Sequence, residues 1–426
     1  MSLFCFAAQG AFASTPVAYE IMGVKYRLNT DGTAEVYKCE EKLQGDVKIE
    51  STIVSDGRKW TTRTICESAF AECRYITSVT IPNTVTSIER MAFYECRSMT
   101  SVSIPNSVKT IGEFAFCSSH LTSVVLPFPL KTISANTFDE CQFLESVTIS
   151  ENVTTIESSA FGSCNSLPSI YIPKSVKSIA SDAFAYSACL ADVNVDSDNK
   201  TYTSVDGVLY NKSMTSILHY PAGKTATSFS IPNTVTKIGD MAFEGCSLTS
   251  VKIPNTVKSI GRSAFNASKL TSINIPNSVK NIGAVAFYGC ENLSTVTIPS
   301  SVTSVGEFAF YECGNLKTVY IYNAENVLLS PSEYHPCPFE RVSAECVLYV
   351  PESIREQYEA TAYNDCFSII LGMTDEMLGI ENAVKADGMV KEKDRFDLRG
   401  NKLDAPQRGI NIVRMSDGTV KKVFVK

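Results

Sequence analysis

The chain has 426 residues, 44% hydrophobic and 19% charged, which excludes global disorder and leaves apolar material for a core. At roughly three times the ~150-residue domain norm, it holds several globular units or one long repeat array. Its net charge of −7 disfavours a basic face for nucleic acid, and no apolar run reaches the ~18 residues of a membrane-spanning helix.

In chain order, Leu3 to Ala8 is apolar and Ala11-Phe12-Ala13 has the form of a leader-peptidase site, while the first basic residue is Lys25. Residues 1–15 therefore read as the remnant of a signal peptide. Lipidation at Cys5 is disfavoured because Phe4 stands where a small residue is needed. Residues 16–60 alternate apolar and polar around Gly23, Asp31-Gly32 and Asp56-Gly57, which predicts short hairpins in an N-terminal β cap.

From residue 61 to 351 the sequence repeats. Apolar runs end at Ile81-Pro82, Ile104-Pro105, Leu126-Pro127, Ile149-Ser150 and Ile172-Pro173, then at Ile231-Pro232, Ile253-Pro254, Ile275-Pro276, Ile298-Pro299 and Ile321-Tyr322, at steps of 22 or 23 residues. A phenylalanine keeps the same beat at Phe70, Phe93, Phe116, Phe138, Phe161, Phe184, Phe243, Phe265, Phe287 and Phe310. Three residues on stands a cysteine in seven of the ten: Cys73, Cys96, Cys141, Cys164, Cys246, Cys290 and Cys313. In Leu293 to Ile298, Val296 and Ile298 alternate with polar residues, the pattern of a half-buried strand. Val302 and Val305 turn inward again, Gly306 is expected to permit a tight bend, and Phe310 is expected to plug the far side. A single unit cannot bury its own apolar edge, so the units must stack.

These L-x-x-V-x-I-P…IGxxAFxxC units resemble the BspA-like leucine-rich repeats of bacterial surface proteins. The resemblance implies a repeat solenoid, a curved array with a parallel β-sheet on its concave side. It also implies export, a place at the cell surface and attachment to host proteins or other cells.

One repeat is longer than the rest, and the insert at about 197–226 contains β-rich runs around Asn211-Lys212-Ser213, which predicts a hairpin. Structural padding and a ligand-contacting flap are both compatible with it. Tyr349 to Tyr358 reads as one more strand followed by a helix, giving a helical cap over 352–375 that resembles the end of such arrays. A charged linker spans 376–393. The tail at 394–426, with Phe396-Asp397-Leu398-Arg399-Gly400 and Gly409 to Arg414, resembles the sorting domain of type IX secretion cargo, though shorter than is typical. That resemblance implies transit of the outer membrane; the plainer alternative is a hairpin cap.

Searching for chemistry returns little. Gly223-Lys224-Thr225 lacks the glycine that a phosphate-binding loop needs five residues earlier, since position 218 is Leu. Asp196 to Lys200 begins like a calcium loop, but Lys200 stands at a ligand position and Thr201 replaces the required glycine. The three histidines, His120, His219 and His335, fall in unrelated repeat phases. No catalytic residue, metal or cofactor is expected. Cysteines repeating in one phase point in parallel, which suits a ladder of buried free thiols rather than bridges. Cys337, Cys346 and Cys366 lie off that ladder and are not bound by the argument.

The outward strand positions are mostly small hydroxyl residues, such as Ser78/Thr80, Ser101/Ser103 and Ser146/Thr148. Departures include Tyr171, Asp192, Asn194, Lys252, Asn274, Tyr320 and Tyr349, the candidate ligand-binding residues, with the tyrosines as anchors. The functional expectation is a non-catalytic surface protein that binds a host or bacterial surface protein or glycan, secreted and outer-membrane associated, without a membrane span. The alternative is a structural or self-associating surface component with no specific ligand. An enzyme would need a polar cluster breaking the repeat, and only residues 192–220 offer one.

Overall fold

The computed structural model describes residues 17–40, 42–323, 337–360, 366–373, 392–396, 402–403, 405, 409–415 and 420–425. The leader expected at 1–15 and nearly all of the linker at 376–393 lie outside them. The chain divides into two compact units, one of residues 1–213 with 219–224, the other of 214–218 with 225–426.

The first unit opens with the antiparallel strands Val17–Ile21, Val24–Leu28 and Thr33–Cys39. Thr52–Ser55 then pairs with Arg58–Ile65 across Asp56-Gly57, where φ of 49° and 71° gives the left-handed pair a two-residue hairpin requires. The expected hairpins are thus present. Arg58–Ile65 also runs parallel to Thr33–Cys39, and this converts the antiparallel cap into a parallel stack.

From there each repeat contributes two strands and one turn. The L-x-x-V-x-I segment forms the longer strand: Gln44–Lys48, Tyr75–Thr80 and Ser101–Ser103 pair in parallel, as do Ser123–Val125 with Ser146–Thr148 and Ser169–Ile172 with Asp192–Val195. These make the broad sheet. Two-residue strands such as Thr132–Ile133, Thr155–Ile156 and Ser178–Ile179 form a second parallel ladder. The remaining side is a turn, yet it too is laddered: Phe70, Phe93 and Phe138 N–H groups donate to the alanine carbonyls of the next coil at 2.8, 2.8 and 3.0 Å. Every side of the coil therefore satisfies its backbone through its neighbours.

The second unit repeats this design. Ser228–Ser230 pairs with Ser250–Lys252; Ile273–Asn274, Thr295–Ile298, Thr318–Ile321 and Val347–Pro351 follow in one parallel sheet. The expected helix is a single turn, Arg355–Glu359, after the 3-10 turn Glu352–Ile354. The chain then returns as another parallel strand, Ile369–Met373, on Val347–Pro351, so the stretch expected to be a helical cap carries a further strand of the sheet. The tail adds a four-stranded antiparallel sheet, with Arg395 buried and donating to Asn411 at 3.2 Å.

The core is a stack of identical side chains. Phe70, Phe93, Phe116, Phe138 and Phe161 are fully buried, with ring centroids 5.0, 5.2, 5.6 and 5.5 Å apart along the series. Phe243, Phe265, Phe287, Phe310 and Phe339 do the same in the second unit, at 4.9, 5.1, 4.9 and 4.9 Å. These spacings match the ~4.8 Å between paired strands, so the rings stack because the backbone does.

Two sequence expectations need correction. Gly306 does not supply a left-handed turn; a Cβ there would run into the Ala284 backbone nitrogen of the preceding coil, and one on Gly283 would lie 2.6 Å from the Arg262 nitrogen. The glycine permits close approach. The left-handed residues are Phe308 and Glu312, at φ 53° and 57°, bracketing the buried Phe310. The second correction concerns Cys73. It is bonded to Cys39 of the cap, so the first rung of the thiol ladder is not free. Same-phase cysteines point in parallel along the array, but at its end the neighbour, Cys39, closes the cap strand Thr33–Cys39 and stands outside that phase, so the argument from parallel side chains does not reach it.

The other ladder thiols are reduced and buried. Five of them share one bond: Cys96, Cys141, Cys164, Cys290 and Cys313 donate to the Phe70, Phe116, Phe138, Phe265 and Phe287 carbonyls at 3.1–3.2 Å, and Cys141 and Cys290 also meet the Ser119 and Ser268 hydroxyls. Ser187, at the same repeat position, donates to Phe161 O at 2.8 Å. The ladder position thus selects a small donor that can serve the carbonyl of the preceding coil's spine phenylalanine.

Candidate binding face

Alternation along the broad sheet sorts its side chains. Val79, Val124, Ile170 and Val193 are buried, whereas Thr80, Ser103, Ser123, Thr148 and Ser169 are exposed. The seven candidate residues all lie on the outward side, but in two separate groups.

In the first unit, Tyr171 sits opposite Asn194, and Ser169 opposite Asp192. Tyr171 is 48% exposed, and its hydroxyl donates to Asp196 Oδ2 at 2.7 Å. Donation to that carboxylate raises the Tyr171 phenol pKa and lowers that of Asp196. Asp192 pairs with Lys224 at 3.3 Å, so its charge is partly spoken for. Asn194 is exposed.

In the second unit, Asn274, Thr297, Tyr320 and Tyr349 occupy one register row across four adjacent strands. Tyr320 and Tyr349 stack with centroids 4.8 Å apart and planes 17° from parallel; Tyr322 adds a third ring 6.4 Å from Tyr320. Burial raises the Tyr320 phenol pKa, with Tyr349 adding to the effect. Lys252 lies opposite Ser230 and lines an open groove with Pro232, Asn233 and Pro254.

Three features escaped sequence reasoning. Tyr322 extends the aromatic pair and could have been found, because it replaces the proline that closes most runs. Asp196 tethers Tyr171 from beyond the strand, a contact no spacing rule reports. Phe128, 59% exposed beside the outward Val125, stands where six of the nine other runs carry asparagine.

The region weighed for an enzyme is occupied by structural bonds. Asn199 is buried; its amide donates to Pro173 O and Val176 O, and its Oδ1 accepts from the Thr201 and Tyr202 N–H groups. The side chain replaces missing backbone bonds where the repeat is interrupted. The hairpin there turns at Asp206-Gly207, at φ 48° and 73°, between Tyr202–Val205 and Val208–Asn211. A further turn follows at the expected Lys212-Ser213, before Ser216–His219. His219 is buried against Phe184, 5.5 Å between centroids. His120 packs on Phe143 at 4.5 Å, and His335 lies outside the described residues. Among the described residues no group of three or more His, Cys, Asp or Glu could hold a metal ion. No helix among them is long and apolar enough to cross a membrane.

No curated protein sequence matches the chain. Its fold is similar to that of the pneumococcal vaccine antigen PcpA, with TM-score 0.72 and 23% identity over 85% of this chain and 100% of that one. It is also similar to a leucine-rich cell surface protein from Faecalibacterium prausnitzii A2-165, with TM-score 0.57 and 27% identity over 75% of this chain and 99% of that one. Six copies of the BspA-type leucine-rich repeat region match residues 63–191 and 222–331, more than half of the sequence, and the chain belongs to that family.

Proposed function

We propose that the chain is an exported, non-catalytic cell-surface protein whose broad sheet captures an extended protein or glycan, serving adhesion to host matrix proteins or to other cells. The observation that carries this reading is the Tyr320–Tyr349 stack on the outward row that also carries Asn274 and Thr297. Aromatic rings held rigid by each other offer contact area at low entropic cost, and the neighbouring Asn274 and Thr297 supply hydrogen-bonding groups. Repeat proteins use such sheet faces for extended ligands. A surface location is supported by family membership and by the Faecalibacterium relative, described as a cell surface protein. The same reading takes residues 1–15 as a leader remnant and the tail at 394–426 as a type IX sorting signal.

The test is saturable capture of the purified full chain on immobilised matrix proteins and on mucin, with its oligomeric state measured in parallel. Saturable capture by monomer supports the proposal. Concentration-dependent self-association with no saturable ligand would replace it with a structural surface component.

A further inference from the structure

Cysteine in this chain occupies two kinds of place. Ladder thiols are spent on carbonyls of the preceding coil, as Cys313 is on Phe287 O at 3.2 Å. Cys337 and Cys366 differ: Cys337 Sγ accepts from the Phe339 N–H at 3.4 Å, and the Cys366 side chain is its hydrogen-bonding neighbour. Their surroundings hold them there. Two residues beyond Cys337, Phe339 continues the phenylalanine spine, 4.9 Å from Phe310 with planes 1° from parallel. One residue beyond Cys366, Phe367 packs on Phe339 at 5.3 Å, tilted by 51°. Ser368 then donates through both its N–H and its hydroxyl to Cys346 O, each at 2.8 Å, as the chain enters the strand Ile369–Met373. The two thiols meet where the last spine ring is covered.

We infer that Cys337 and Cys366 are a modification site, an intramolecular disulfide that forms on oxidation and pins Ile369–Met373 to the end of the spine. Accessibility sets the order of events. Cys337 is buried, and Cys366 is only half-buried. The bonded Cys366 and burial together hold the Cys337 thiol well above the usual thiol range, so it does not open the reaction. Cys366 loses its proton and attacks one sulfur of a low-molecular-weight disulfide, displacing one thiolate and leaving a mixed disulfide. Cys337 then loses its proton and attacks the Cys366 sulfur, forming the internal bond and releasing the second small thiol. Both cysteines are oxidised, and one small disulfide is reduced to two thiols. Cys346, buried nearby with its thiol pushed up to about 12 by burial, stays out of the exchange.

The test uses the reduced, folded full chain incubated with oxidised glutathione, then denatured, alkylated and digested without reduction. The expected product is a peptide cross-linked through Cys337 and Cys366, with Cys346 alkylated. Cys337→Ser should leave glutathione attached to Cys366; Cys366→Ser, a change at a half-exposed site, should leave Cys337 alkylated and free of glutathione. Oxidation should raise the melting temperature of the wild type by more than that of Cys366→Ser, in which the Cys39–Cys73 bond re-forms but the Cys337–Cys366 bond cannot. Recovery of both cysteines alkylated from the oxidised wild type, or a bridge from either to Cys346, overturns the assignment. A Cys337–Cys366 bond that forms while the wild type gains no more melting temperature than Cys366→Ser overturns the pinning role.

Discussion

Two rows of side chains in the first unit come from the same coils and behave in opposite ways. Phe116, Phe138 and Phe161 are identical, fully buried and stacked ring on ring. On the broad sheet of those coils the outward pairs are Ser123/Val125, Ser146/Thr148 and Ser169/Tyr171, mostly exposed and unlike one another. Each spine residue touches its own copy one coil away, so a change in one must be matched by both neighbours. An outward residue meets solvent and is held to no such condition. Strict periodicity therefore reports contact between repeats, and departures from it mark where a ligand can be recognised.

The sharpest way to break that contrast is to exchange the costs. Phe161→Ala should destabilise the chain by about 3–5 kcal/mol, because it empties a site walled by two stacked rings that cannot collapse inward. Ser146→Ala and Thr148→Ala should stay within about 0.5 kcal/mol. Urea unfolding of the three variants compares them directly, and equal shifts would show that the inside and outside of the strand have been confused.

His219 tests whether the interrupted repeat is as tightly packed as the regular ones. Its Nε2 is buried with no hydrogen-bond partner among the described residues, and burial pushes its pKa down from 6.5 to about 4. The unfolded chain therefore takes up the proton first as the pH falls. The stabilising contribution is complete above pH 6.5, declines between 6.5 and 4, and amounts to about 3 kcal/mol lost at the lower limit. His219→Phe keeps the ring and removes the titration, so the stability difference between wild type and variant should change over that window. A constant difference from pH 7 to 4 would mean that the imidazole reaches water.

Much of this was legible beforehand because the fold is written in period. Ile298, Val302, Val305 and Phe310 announce four inward positions of one coil, and all four are buried. Asp56-Gly57 announces its hairpin by the left-handed geometry its residues tolerate. What stayed hidden depends on neighbours distant in sequence. The purpose of Gly306 is set by the Ala284 backbone of another coil, and that of Cys73 by the cap residue Cys39. The candidate site was legible only as a row of outward positions. That Tyr320 has a stacking partner while Tyr171 is tethered to a carboxylate follows from the side-chain contacts.

The ladder cysteines sharpen the contrast from the buried side. Cys164→Ser should cost less than about 1 kcal/mol, because a hydroxyl can serve Phe138 O as Ser187 serves Phe161 O. Cys164→Ala leaves that carbonyl with the Cys141 N–H, at 3.2 Å, and should cost about 1.5 kcal/mol. Chemical denaturation resolves the two. Alkylation under denaturing, non-reducing conditions should label Cys96, Cys141, Cys164, Cys246, Cys290 and Cys313 and spare Cys73. If serine and alanine cost the same, the position selects for volume alone and the shared hydrogen bond carries no weight.

The smallest expected effects fall on the outward face, where they decide between its two clusters. Tyr320 is stacked and half-buried, so a ligand meets a ring already fixed in place, and the ordering cost on binding is low. Tyr171 is more exposed, and its hydroxyl is already donated to Asp196, which leaves a ring edge and an acceptor for any ligand. Tyr320→Ser should therefore weaken capture by about tenfold, roughly 1.4 kcal/mol, and Tyr171→Ser by less than about threefold. Melting curves of both variants separate lost contact from lost order, since Tyr320→Ser also gives up its packing on Tyr349. Deleting 206–211 tests the insert as a competing site. A Tyr171→Ser defect larger than that of Tyr320→Ser would move the site to the first unit, and a deletion that abolishes capture while both tyrosine variants bind normally would move it off the sheet altogether.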